Sequence, residues 1–178
     1  TSACSNGVSS TPGLVTTSFG DIQGLQEDNG VWRFLGIPFA EPPVGDLRWR
    51  PPVAPGRLDQ QPFMADTFGP MCPQLVDGAV TGHEDCLQLN IWAPEDYGPD
   101  SHMPVLFYIH GGANILGSAS DGLGPDRPIY TGRFLAARED VVVVTIQYRL
   151  GPLGFLALPE LSAESEHGAA GNYAHLDQ

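Results

Sequence analysis

The run His110-Gly111-Gly112-Ala113 is the stretch of this 178-residue sequence whose residue types could do chemistry. Acyl transfer builds negative charge on a carbonyl oxygen, and backbone N–H groups aimed at that oxygen stabilise it. Small residues suit such a loop, because substrate must approach the main chain itself. The loop follows Pro104-Val105-Leu106-Phe107-Tyr108-Ile109 directly. A strand emptying into glycines at the top of an α/β sheet is where hydrolases place an oxyanion loop. A plain glycine turn after a strand has the same appearance, so these four residues alone leave both readings open.

The other reactive residue types fit a structural role better. His110 precedes the loop and suits an orienting part rather than a catalytic one. His83, His102 and His167 stand in polar stretches and read as solvated, and His175 falls in a short helical run. Glu160, Glu164 and Glu166 read as a solvated face rather than as paired catalytic carboxylates. No Gly-x-Ser-x-Gly elbow occurs, so the sequence holds no complete nucleophilic triad. All eight cationic residues are Arg, which excludes Schiff-base and Ser-Lys chemistry. No metal-site spacing is present among Cys4, Cys72 and Cys86, and neither HExxH nor C-x-x-C occurs, so neither metal nor cofactor is implied. Three cysteines leave one unpaired. Cys72 and Cys86 lie in polar, Gly/Pro-rich sequence, which favours a surface disulfide and an oxidising compartment.

The elements that must position the loop follow from periodicity. Residues 1–13 are Ser/Thr/Gly/Pro-rich and read as an arm. Val15 to Gln26 suggests short strands around Gly20-Asp21, and Trp32–Pro38 a further strand. Residues 41–83, broken by repeated prolines, read as mostly loop. Leu87–Trp92 alternates apolar and polar, as a half-buried strand does. The continuous apolar runs at 104–110 and 141–148 fit central strands buried on both faces. A short helical stretch at 132–138 lies between them, and strand, helix, strand in this order predicts a crossover in an α/β sheet. Asn172 is placed to cap a helix over 173–178. About two turns cannot stand alone in water, so the reading places the end of the sequence inside an element that continues elsewhere.

A hydrophobic content of 42% supports a globular core, and no apolar run approaches the ~18 residues of a membrane span. The net charge of −13 argues against nucleic acid and anionic membranes as partners. The N-terminus shows neither a basic nor an apolar leader region, and no Asn-x-Ser/Thr sequon occurs.

Several stretches stand in one order along the chain: Gly20-Asp21-Ile22-Gln23-Gly24; Phe34-Leu35-Gly36-Ile37-Pro38-Phe39-Ala40-Glu41-Pro42-Pro43-Val44-Gly45; Leu47-Arg48-Trp49; Glu84-Asp85-Cys86-Leu87-Gln88-Leu89-Asn90; the His110 loop; Tyr148-Arg149-Leu150-Gly151-Pro152-Leu153-Gly154-Phe155-Leu156; and Gly171-Asn172 with Asp177-Gln178. In this the chain resembles the type-B carboxylesterase and lipase family, the cholinesterase-like α/β hydrolases, over nearly its whole length. The resemblance implies the N-terminal portion of an α/β-hydrolase fold. That fold has a mixed, mostly parallel central sheet and a small antiparallel N-terminal sheet, with residues 14–178 as part of one catalytic domain that a downstream segment completes. It implies that the N–H groups of Gly112 and Ala113, in the loop begun by Gly111, form half of an oxyanion hole. Ala113 departs from the family's commoner Gly; its donor survives, and its methyl narrows the pocket. The resemblance also implies a Cys72–Cys86 disulfide and two buried structural ion pairs, Arg48–Glu84 and Arg149–Asp177.

The loop between Cys72 and Cys86 is shorter than the family's usual one and contains no Trp, Tyr or Phe. A more open site follows, suited to soluble or bulky esters rather than lipid droplets. The missing aromatic argues against a choline ester, whose cation would need a ring to stack on. The expectation is a secreted serine ester hydrolase whose Ser, Glu or Asp, and His come from the downstream remainder or a second chain, with a small-molecule ester as substrate. The alternative is a family member that keeps the fold as an inactive adhesion protein.

Overall fold

The computed structural model describes residues 11–120 and 130–178; Cys4 and most of the expected 1–13 arm lie outside them. Strands β1 (Leu14–Thr17) and β2 (Gly20–Gln23) form a hairpin that turns at Ser18 and Phe19, so Gly20 and Asp21, expected at the turn, instead open β2. A short strand, β3 (Leu25–Gln26), follows, and β4 (Trp32–Pro38) returns alongside it. The small N-terminal sheet has the order β1-β2-β5, where β5 is Phe63–Met64 and lies parallel to β2. It is therefore mixed rather than purely antiparallel.

The central sheet has the order β3-β4-β8-β10-β9, with β8 at Gln88–Ala93, β9 at Val105–Ile109 and β10 at Val142–Ile146. Only β9 and β10 pair in parallel; β3–β4, β4–β8 and β8–β10 are antiparallel. Among the described residues the expectation of a mostly parallel sheet is thus corrected. One crossover, through helix α1 (Arg133–Arg138), supplies the parallel pair, and the other strands are joined without a helical crossover.

Strand β8 sits between two cores. Leu89 and Ile91 pack with Phe34, Ile37 and Ala65, while Trp92, 1% exposed, packs with Val31, Leu35, Ala136 and Val143. Its alternation therefore does not mean one wet face. Asn90 is buried as well, donating to the Thr145 hydroxyl and accepting from the Gly36 N–H at the bulge in β4. A buried amide survives only when paired in this way.

Strand β10 is central and largely buried, but β9 lies at the sheet edge. Val105 is 61% and Phe107 50% exposed, against the expectation of burial on both faces. Among the described residues β9 has β10 alone as a strand partner, and α1 packs over β8 and β10. The stretch 41–83 also holds more structure than expected: a 3-10 turn at Gly45–Leu47 and a hairpin of β6 (Gln74–Val76) and β7 (Ala79–Thr81). Asp77 and Gly78 join that hairpin with φ of 51° and 80°, the backbone a two-residue turn with both central residues left-handed requires. Three more helices close the chain: α2 (Gly151–Phe155), α3 (Pro159–Glu164) and α4 (Tyr173–Asp177). Asn172 stands at the N-cap of α4, yet its side chain makes no capping hydrogen bond. No helix among the described residues is long and apolar enough to cross a membrane.

Candidate active site

The His110 loop leaves the end of β9 and is fixed from its first residue. The Tyr148 hydroxyl, just beyond β10, donates to His110 O at 2.7 Å, and its ring stacks on the imidazole with centroids 4.4 Å apart. His110 is 2% exposed. Its Nδ1 lies 2.8 Å from Gly111 O, so Nδ1 carries the proton and donates it to that carbonyl. Burial lowers the His110 pKa, and the hydrogen bond to the Gly111 carbonyl, which favours the protonated ring, offsets part of that shift.

The direction of that bond decides where the next donor points. Carbonyl and N–H of a trans peptide point opposite ways. Gly111 O is drawn toward the His110 ring, so the Gly112 N–H of the same peptide faces away from it. Among the described residues neither the Gly112 nor the Ala113 N–H has an acceptor. Gly112 O accepts from both Ile115 N and Leu116 N at 3.1 Å, closing the loop into a tight turn. A Cβ on Gly112, whose φ is +122°, would fall 1.8 Å from Leu116 O. Ala113 and Asn114 follow at φ 54° and 61°. Left-handed backbone is tolerable for Asn but costs an alanine about 1 kcal/mol. The Ala113 side chain thus strains its own peptide.

Downstream, the loop is held at three more points. Asn114 O accepts from Gly151 N at 2.7 Å. Gly117 N–H donates to Gln74 Oε1, and Gln74 Nε2 donates back to Gly117 O, both at 2.8 Å. Ala119 N–H donates to Gln147 Oε1, and Ala119 O accepts from Thr145 Oγ1. None of Gln74, Gln147 or Gly117 stands in a motif that would have singled it out. The one available signal was the Asp77-Gly78 turn, which marks the hairpin that carries Gln74.

The disulfide joins Cys72 to Cys86 across a sequence separation of 14. Both cysteines are 0% exposed, packed with Ala40, Leu87, Tyr148, Leu150 and Ala174, so the expected surface position is corrected. Polar sequence around each cysteine concealed the core that other segments supply. The Arg149–Asp177 pair is buried, with side chains 3% and 0% exposed. Arg149 Nη2 and Nε reach the two carboxylate oxygens at 2.6 and 2.8 Å, and the Arg149 N–H adds a third donor at 3.0 Å. Arg48 and Glu84 meet in a two-pronged pair at 2.6 and 2.7 Å, but their side chains are 37% and 27% exposed. The expected burial of that pair is corrected: Arg48 lies on a loop whose outer side faces solvent. Glu84 raises the Arg48 pKa, by hydrogen bonding first and charge second. His83, His102, His167 and His175 are exposed, as are Glu160, Glu164 and Glu166. Among the described residues no group of His, Cys, Asp and Glu could hold a metal ion.

The chain that holds this pinned loop is similar to several esterases. Over 165 residues it is 46% identical to fumonisin B1 esterase of Sphingopyxis macrogoltabida, covering 90% of this chain and 29% of that protein. It is 41% identical over 152 residues to para-nitrobenzyl esterase of Bacillus subtilis strain 168, covering 82% of this chain and 29% of the relative. A solved structure of a PNB esterase superposes with a TM-score of 0.78 at 40% identity, covering 94% of this chain and 32% of that one. The chain thus spans about a third of the length of the relatives it matches. The carboxylesterase family model matches residues 11–178, and the chain belongs to the carboxylesterase family.

Proposed function

We propose that this chain supplies the oxyanion-hole loop and part of the scaffold of a secreted serine carboxylic-ester hydrolase. The observation that carries the reading is the His110–Gly111 hydrogen bond, which turns the Gly112 N–H outward beside the equally unpaired Ala113 N–H. Two such donors can hold the oxygen of a tetrahedral intermediate at a fixed place before the reaction begins. The Ser, His and Glu or Asp would come from the downstream segment or from a second chain. The Ser hydroxyl would add to the ester carbonyl while His takes its proton. The charge on the carbonyl oxygen would rest on Gly112 and Ala113. Collapse of the intermediate would expel the alcohol, protonated by His, and water would then hydrolyse the acyl-enzyme by the same route.

The compact β6–β7 hairpin in the Cys72–Cys86 loop supports an open site and soluble or bulky esters. The buried disulfide supports an oxidising compartment. The test is made on protein that includes the downstream segment. A fluorophosphonate probe is expected to label one serine there, and p-nitrophenyl esters of short acyl chains are expected to be turned over fastest, without a rate jump on emulsions. Absence of both label and turnover would refute the enzyme and leave the adhesion reading; a preference for long-chain emulsions would refute the substrate class.

A further inference from the structure

We infer that Gln74 is a positioning residue for the oxyanion loop, coupling the disulfide-closed hairpin to the donors of Gly112 and Ala113; the inference rests on the reading of that loop proposed above. Gln74 is 8% exposed, and its amide is spent on backbone alone. Oε1 accepts from Gly117 N–H at 2.8 Å, and Nε2 donates to Gly117 O at 2.8 Å and to Cys72 O at 3.1 Å. One side chain thus grips both sides of a single residue, 43 positions away in sequence.

Gly117 is the point where that grip reaches the donors. Its backbone is pressed against the start of the loop: a Cβ there would lie 2.5 Å from Gly111 O and 2.7 Å from His110 Nδ1. Those are the two atoms whose hydrogen bond turns the Gly112 N–H outward. Holding Gly117 in place therefore keeps the Gly111 carbonyl, and the peptide it shares with Gly112, from rotating. The other end of the clamp is equally firm. Gln74 stands two residues from Cys72, whose disulfide is sunk in the same core as Tyr148, the residue that fixes His110 O. Disulfide, Gln74, Gly117, His110 and Tyr148 close a ring around the loop. A side chain serving only to fill space would not need an amide at this position.

The experiment compares Gln74→Leu and Gln74→Glu with the parent in protein that includes the downstream segment. Leu keeps the bulk and loses both bonds. Glu keeps the acceptor for Gly117 N–H but, when ionised, sets a carboxylate against the carbonyls of Gly117 and Cys72; protonated, it recovers the donor. For p-nitrophenyl acetate, Gln74→Leu is expected to lower kcat about 10- to 100-fold with KM within about 3-fold, since the lost interaction acts in the transition state. The ratio of Gln74→Glu to parent activity is expected to rise as pH falls. Hydrogen exchange across residues 110–118 is expected to quicken in Gln74→Leu while the melting temperature stays within a few degrees. A kcat within 2-fold of the parent, or a loss that follows melting temperature with a pH-independent Glu ratio, overturns the inference. Were the parent itself inactive and unlabelled, the proposed enzyme would fail, and unchanged exchange at 110–118 would separately sink the clamp.

Discussion

Replacing Arg149 with Met tests the buried ion pair that fixes α4 to the end of the central sheet. The Asp177 side chain is 0% exposed and receives three donors from Arg149, two from the guanidinium and one from the main chain. Met keeps the main-chain donor and removes the other two together with the countercharge. The Arg50 and Tyr173 carbonyls, which also accept from the guanidinium, lose those donors as well. Stranding a buried charge in this way costs about 3–5 kcal/mol. For a chain of this size each kcal/mol shifts the melting temperature by roughly 2–4 °C, so a drop of about 6–20 °C is expected. Urea denaturation followed by tryptophan fluorescence reads the same loss, since Trp92 is 1% exposed in the core. The decisive arm is the double variant Arg149→Met with Asp177→Leu. If the penalty is an uncompensated charge, removing both partners restores most of the stability, because an apolar pair of similar volume carries no such charge. A single variant costing less than about 1 kcal/mol, or a double variant costing the sum of the two singles, would refute the reasoning.

Three further outcomes follow from the same structure. Gly112→Ala places a methyl 1.8 Å from Leu116 O, so the loop must open and turnover is expected to fall about 100- to 1000-fold; Gly111→Ala, whose Cβ meets nothing within 4 Å, is expected to fold normally and lose far less. His110 titrates below its ordinary value, so the unfolded chain takes up that proton first: its contribution to stability is complete above about pH 6.5 and is lost as pH falls below it. Melting curves should show the parent's margin over His110→Gln shrinking on acidification, and a margin constant with pH would contradict this. Arg48→Met removes a half-exposed pair and is expected to shift the denaturation midpoint by a small fraction of the Arg149→Met effect, with the shift diminishing at high salt.

What the residues disclosed and what they hid divide along physical lines. Local patterns were legible. The apolar run before His110 became β9, the run at 142–146 became β10, and the short helical stretch became α1 joining them as a crossover. Burial was less legible, because it depends on what distant segments supply. Cys72 and Cys86 lie in a stretch rich in Gly, Pro and polar residues, yet Tyr148, Leu150 and Ala174 from distant segments join Leu87 in covering them. The polar positions of β8 read as a wet face, yet Asn90 is sheathed because Thr145 and Gly36 pair with its amide. Val105 and Phe107 read as core, yet β9 is an edge among the described residues. The hairpin holding Gln74 was legible in principle. Asp77-Gly78 between Gln74-Leu75-Val76 and Ala79-Val80-Thr81 is a strong two-residue turn signal, but the prolines of the preceding stretch made the region read as loop. Resemblance carried the ion-pair assignments; periodicity alone contained nothing that would pair Arg149 with Asp177.

The placement of the loop and of α4 are two consequences of one short segment. Tyr148 holds His110 O, and its neighbour Arg149 holds Asp177. Because these residues are adjacent in a buried stretch after β10, the His110 loop and α4 are held by one support. An oxyanion hole works only if its donors are fixed relative to the nucleophile, and a displacement of about 1 Å can cost about 100-fold in rate. With the nucleophile on the downstream segment, one of the two sources proposed above, its position relative to Gly112 would be transmitted through α4, Asp177, Arg149 and Tyr148. Arg149→Met should therefore lower kcat in excess of its effect on the folded fraction, even at temperatures well below melting. Activity that merely tracks the folded fraction would show that the pair stabilises the fold without aligning the site.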